Sequence, residues 1–323
     1  MRTYKTEGWY KKDGPIQNNE GENLFSYISQ SLFAGKHTTT YKYCLLKSIL
    51  DNLYCLDDNY SISFEKIGET FVSIYWNMIA VYRIPQMPNY STGSRSAFEI
   101  IIESILQKKN YLSGVFYSSL SEGDKKLFLS KSIPEFSKNV IGAFYNDTLG
   151  KIYGFSKASK QIWLNKYSFS FLCENRMIIE QVNYYQWLKM SESILRDNGE
   201  HINNLSTILE CITKRYDLTP FKTKLFNLGE DKVCFYCGAN LRTTPHLDHV
   251  IPWAFLKRDE LWNFVFCCQS CNSSKSDKIP DNSYIEQLIY RNKSKNIDSP
   301  DIKLIVESAK MNGVKSGWRP SKK

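Results

Sequence analysis

Two short cysteine pairs, Cys234-x-x-Cys237 and Cys268-x-x-Cys271, limit what this chain of 323 residues can fold into more than any other feature. Thiolates at a two-residue spacing grip one ion from a tight turn, and two such pairs supply the four sulfurs of a closed tetrahedral zinc site. That site is structural, because no coordination position stays open for a substrate. The competing reading, buried apolar thiols, suits single cysteines and does not account for two matched pairs. Cys267 is a fifth thiol beside Cys268. Cys268 completes the register and takes the ligand role, which leaves Cys267 to the core.

The chain has four histidines, His37, His201, His246 and His249, and two of them fall between the cysteine pairs in His246-Leu247-Asp248-His249-Val250-Ile251-Pro252. Four sulfurs already satisfy a zinc ion, so Asp248 and His249 are free for other chemistry. A carboxylate holds a hard divalent cation, and an imidazole takes a proton from water near neutral pH. The bland alternative is an Asp-His pair that closes a strand end. For His246 three readings stay open: a phosphate contact, a partner of a ligand residue, or an exposed strand residue.

The run Cys-Phe-Tyr-Cys-Gly from Cys234, then Leu-Asp-His-Val-Ile-Pro, then Asn263, then Cys-Gln-Ser-Cys-Asn-Ser-Ser-Lys ending at Lys275 resembles the HNH branch of the ββα-metal nucleases, the zinc-containing members above all. From Asp248 through Phe255-Leu256-Lys257 to Asn272-Ser273-Ser274-Lys275-Ser276-Asp277 it is also similar to the HNH domain of the RNA-guided CRISPR effector nuclease. The resemblance implies His249 as general base, Asp248 and Asn272 as ligands of a catalytic cation, Asn263 as the asparagine bracing the loop behind the base, and Lys275 as a phosphate contact. Asn272 stands where many relatives carry a third histidine. An amide oxygen with a carboxylate makes a hard, oxygen-only site, so magnesium or manganese is expected there.

Charge is consistent with a nucleic-acid partner, most simply DNA. Lys and Arg number 42 against 33 Asp and Glu, and from Phe221 onward the counts are 17 against 11. Two basic clusters, Arg291 to Lys295 (with Lys293) and Lys315 to Lys323 (with Arg319), read either as phosphate-contacting surfaces or as solvated faces. No apolar leader opens the chain and no run reaches the length of a membrane span, so a cytoplasmic protein is expected. Cys44, Cys55, Cys173 and Cys211 are scattered and read as reduced core residues.

Apolar periodicity predicts helices over 41–56 (capped by Thr38 to Thr40), 64–81, 96–109, 125–144 with an interruption at Pro134, 175–195 and 202–216, with a hairpin of 152–155 and 161–163. A connector is expected at 217–230. Tyr184, Tyr185 and Trp187 are either base-stacking residues or core. The Thr40-Tyr41-Lys42-Tyr43 region resembles helical leaders of prokaryotic restriction and antiphage HNH proteins. The expected architecture is α+β: an α-rich recognition, sensing or assembly domain over 1–220 and a zinc-stapled ββα-metal domain over 221–323. The expected function is a DNA endonuclease of a restriction or antiphage system, with a homodimer or a partner protein supplying a second cut. The alternative is a non-catalytic zinc-dependent nucleic-acid-binding or assembly module.

Overall fold

The computed structural model describes residues 12–34, 39–88, 92–109, 111, 114–212, 217–230, 233–241 and 245–321. The chain divides into two compact units, Met1–Thr213 and Lys214–Lys323.

In the first unit the order is β1 (Asp13–Gly14), α1 (Leu24–Ala34), α2 (Tyr41–Asp51), β2 (Ser61–Ser63), α3 (Phe64–Trp76), α4 (Ala97–Lys109), α5 (Glu122–Glu135), α6 (Gly142–Asp147), β3 (Gly154–Ser156), β4 (Gln161–Trp163), α7 (Lys166–Glu174), α8 (Arg176–Asp197) and α9 (Leu205–Glu210). Helices dominate, and the four strands form one small antiparallel sheet in the order β1-β3-β4-β2. The expected hairpin is present with Phe155 opposite Ile162. Gly154 sits opposite Trp163, and a Cβ there would lie 2.5 Å from the indole.

Helix starts follow side-chain chemistry. Ser63 accepts a hydrogen bond from the Lys66 amide at the head of α3, and Ser121 does the same for Asp124 in α5. Thr40 does not cap α2 as expected: its hydroxyl bonds Tyr75 and Gln86 inside the core, and Thr38 lies outside the described residues. Pro134 does not break its helix either. Helix α5 runs through it to Glu135, and a wider π-helical segment, Phe136–Ile141, carries the chain into α6. The expected helix at 202–216 is shorter, Leu205–Glu210; Tyr216 lies outside the described residues.

The core of this unit is aromatic. Phe71 stacks on Tyr75 with ring centroids 4.8 Å apart and meets Phe98 and Phe136 at 5.1 Å each. Trp187 is buried against Tyr43, the Tyr184 hydroxyl bonds the Ser206 carbonyl, and Tyr185 is exposed. Cys44 and Cys173 are buried as expected, whereas Cys55 is exposed and Cys211 half-buried.

The second unit contains α10 (Thr219–Asn227), β5 (His246–His249), α11 (Trp253–Leu256), β6 (Phe264–Cys267), α12 (Gln269–Lys275), α13 (Asn282–Ser294) and α14 (Ile302–Met311). The expected connector is therefore a helix. It starts at Thr219-Pro220, where proline costs no helical hydrogen bond, and lays Phe221 and Leu225 on Phe264 and Phe266. Strands β5 and β6 pair antiparallel, with Asp248 opposite Val265 and His249 opposite Phe264, and α12 packs on β5. The segment after α14 folds back: the Ile279 amide donates to Lys315, and the Asp281 amide to Trp318. No helix among the described residues is long and apolar enough to cross a membrane.

Candidate active site

The cysteines come together from two turns. Cys234 and Cys237 flank a tight knuckle closed by the Gly238 amide on the Cys234 carbonyl, and Gly238 adopts the left-handed conformation (φ +68°) that glycine tolerates best. The Phe235 amide ties the knuckle to the Phe266 carbonyl of β6. Cys268 precedes α12 and Cys271 lies in its first turn. All four sulfurs lie within 4.8 Å of one another, and Cys237 Sγ is 3.8 Å from Cys268 Sγ. Tetrahedral coordination with Zn–S bonds of about 2.3 Å puts sulfurs about 3.8 Å apart. The donor set therefore fits zinc.

The thiols are already differentiated. Burial pushes Cys268 up, but hydrogen bonds from Ser270, from the Cys271 amide and from neighbouring sulfurs outweigh it and bring that thiol down to about 6. Burial holds Cys234 and Cys271 above the ordinary thiol value, and for Cys271 the hydrogen bond to Cys268 adds to it. Burial also pushes up Cys267, a fully buried core residue outside the four-sulfur group.

Next to the knuckle, Asp248 is buried at 8% exposure. Tyr236, placed between Cys234 and Cys237, donates its hydroxyl to Asp248 Oδ2. Burial first, and then the Asp248 charge, hold that hydroxyl protonated well above its usual range. Lys275 reaches the same carboxylate from α12 at 3.1 Å and donates to the His249 carbonyl at 2.6 Å, with its side chain fully buried. A phosphate contact at the surface is not compatible with that placement. The unneutralised carboxylate behind α12 draws the ammonium inward. Asn272, one turn earlier on the same helix, is half-buried, and its side-chain amide makes no hydrogen bond to a described residue.

His249 follows Asp248 at the end of β5. Its Nε2 lies 2.8 Å from Asp259 Oδ1, and its ring packs on Phe264 with centroids 4.3 Å apart. Asn263 is fully buried and clamps the loop after β5: its Oδ1 accepts from the Ile251 amide and its Nδ2 donates to the Ile251 carbonyl, both at 2.8 Å. Asn263 thus faces backbone.

Residues 234–281 match the family model of an HNH endonuclease. The C-terminal unit carries an HNH domain. Strands β5 and β6 with α12 are its ββα core, and the four cysteines are its zinc-type cluster. No curated protein and no solved structure gives a significant match.

Among the basic residues expected to meet nucleic acid, Arg291 does something else. It is buried in α13 and donates to the carbonyls of Trp262 and Phe264, while Asn292 also holds Trp262, so that helix braces the turn bearing Asn263. Lys295 donates to the Leu228 carbonyl, Arg319 pairs with Asp281 at 3.0 Å, and His246 and Lys293 are exposed. Lys322 and Lys323 lie outside the described residues. Sequence reasoning passed over Asp259 and Tyr236. Their signals were an acidic residue in the loop after the histidine and the hydroxyl inside the first cysteine pair.

Proposed function

We propose that the HNH domain hydrolyses phosphodiester bonds of DNA. The observation that carries this reading is the end of β5, where a half-open imidazole follows directly on a buried carboxylate beside α12. His249 acts as general base and takes a proton from a water in line with the scissile phosphorus. Asn263 holds the loop that fixes the imidazole. Asp248 and Asn272 are an oxygen-only donor pair suited to magnesium or manganese, and the carboxylate has lone pairs beyond those that Tyr236 and Lys275 use. A hard cation bound there supplies polarisation of the phosphate and stabilisation of the leaving 3′ oxygen. Lys275 neutralises Asp248 and supports the His249 carbonyl.

The reading gives the N-terminal unit the task of recognition or assembly, in a restriction or antiphage setting, with a second copy of the chain supplying the second cut of a duplex. One observation favours the non-catalytic alternative: the ammonium of Lys275 already pairs the charge of the carboxylate that would take the cation. Supercoiled plasmid separates the two. Nicking or linearisation with magnesium or manganese, abolished by EDTA and by His249→Ala, is expected. Plasmid bound and left intact under every metal condition would support the binding module instead.

A further inference from the structure

We infer that Asp259 is a positioning residue that fixes the tautomer of His249 and leaves Nδ1 as the nitrogen that accepts the proton from water. The catalytic consequence rests on the nuclease reading above, and the pairing itself does not.

An ionised carboxylate only accepts, so the 2.8 Å contact between His249 Nε2 and Asp259 Oδ1 requires the proton on Nε2. In a neutral imidazole the other nitrogen then carries the lone pair. Nδ1 makes no hydrogen bond to a described residue, and the His249 side chain keeps 19% of its surface while that of Asp259 keeps 2%. The buried partner is thus the orienting one and the open nitrogen is the reactive one.

The loop that carries Asp259 is itself held on both sides of that residue. Lys257 closes α11 in the left-handed conformation (φ 54°) and turns the chain back. Arg258 pairs with Glu260 at 2.6 Å, and the Asn263 amide donates to the Glu260 carbonyl at 3.0 Å. Phe264 packs on the ring, so that this contact and the Asp259 hydrogen bond act together on its orientation. A carboxylate behind a working histidine fixes its tautomer and orientation.

The test uses the full chain with its histidines labelled with nitrogen-15. Four histidines give four ring systems, and His249→Ala assigns the one of interest. At alkaline pH, where an imidazole is neutral, the His249 ring is expected as the Nε2–H tautomer. A ring carrying its proton on Nδ1, or a mixture of both forms, overturns the pairing without any variant having to fold. In plasmid nicking, Asp259→Ala is expected to lower kcat by about 10²-fold, the low end of what a placed general base contributes, with KM and zinc content unchanged. Wild-type kcat in a folded Asp259→Ala protein overturns the positioning role. A wild-type chain that cuts nothing yet shows Nε2–H overturns the nuclease reading and upholds the pairing.

Discussion

Two buried charge clusters of this protein follow opposite rules. In the N-terminal unit, Lys47 binds Asp51 at 2.6 Å and Glu180 at 3.1 Å, while Arg176 binds Asp51 at 3.2 Å and Glu180 at 3.7 Å. Two cations meet two anions, every one is paired, and the result locks α2 to α8. In the HNH domain, Asp248 with Lys275 and His249 with Asp259 are paired too, yet His249 Nδ1 and the Asn272 amide have no hydrogen-bond partner among the described residues. A closed set of buried partners marks scaffold, because ionic groups taken from water need their valences filled. Valences left open beside a closed set mark the place where a ligand completes the account.

The cysteine knuckle gives this contrast its largest effect, since its four sulfurs lie within 4.8 Å of one another as one donor set for zinc. Zinc bound by such modules contributes about 10–16 kcal/mol of folding energy. Cys271→Ser is expected to lose zinc and unfold the HNH domain, while the N-terminal unit keeps its own transition in calorimetry. Protons compete with the metal for sulfur. Cys234 and Cys271 are held protonated at neutral pH, whereas Cys268 at about 6 is mostly thiolate. Zinc uptake therefore releases protons, and affinity falls as pH falls, which a zinc titration at pH 6 and pH 8 measures. A variant that kept both stability and metal-free folding would remove the structural role from the four sulfurs.

Arg176→Met breaks the closed cluster by leaving Asp51 and Glu180 with one cation between them. Removing one partner of a buried ion pair costs about 3–5 kcal/mol. Urea denaturation of the N-terminal unit is expected to show a loss of that order, with the zinc content of the HNH domain unchanged. Stability equal to wild type would mean that the cluster is solvated, and the contrast with the open site would lose its first half.

The spacing of the chain made the sulfur cluster legible, because a turn of four residues fixes where two thiols point whatever surrounds it. Asp248 and His249 were legible for the same reason: they are consecutive on one strand end. Asp259 was not, since its meeting with His249 depends on how the loop after α11 turns at Lys257. Lys275 was expected as a phosphate contact and instead meets Asp248 and the His249 carbonyl, because helical spacing states which face a residue occupies and is silent on whether a carboxylate lies behind that face. Helix α10 did carry a signal, with Leu218, Phe221, Leu225 and Leu228 at helical spacing. It spans only nine residues, too few for the periodicity to separate it from a link. In the first unit the expected helices at 64–81, 96–109 and 175–195 are present with nearly those ends, whereas α1 and α7 went unpredicted and the helices expected at 41–56 and 202–216 are shorter. Thr40 does not cap α2, because its hydroxyl has a better partner in Tyr75 than in its own helix.

Tyr236 joins the cysteine knuckle to the Asp248 site, and the smallest expected effect falls there. Its backbone lies between two zinc ligands, its ring is buried against Trp318 and Tyr284, and its hydroxyl reaches Asp248. Tyr236→Phe keeps the ring and removes only the donor. If the hydroxyl orients Asp248 for a cation, zinc content stays at wild type and the manganese concentration needed for half-maximal nicking rises about 10-fold, the low end of what partners of a ligating group contribute. If the hydroxyl merely satisfies a buried carboxylate, the metal requirement stays where it was and the protein loses about 1.5–3 kcal/mol of stability, as for a hydrogen bond to a charged group. The first result places Tyr236 with the open site and makes the knuckle a lever on the carboxylate; the second returns it to the scaffold.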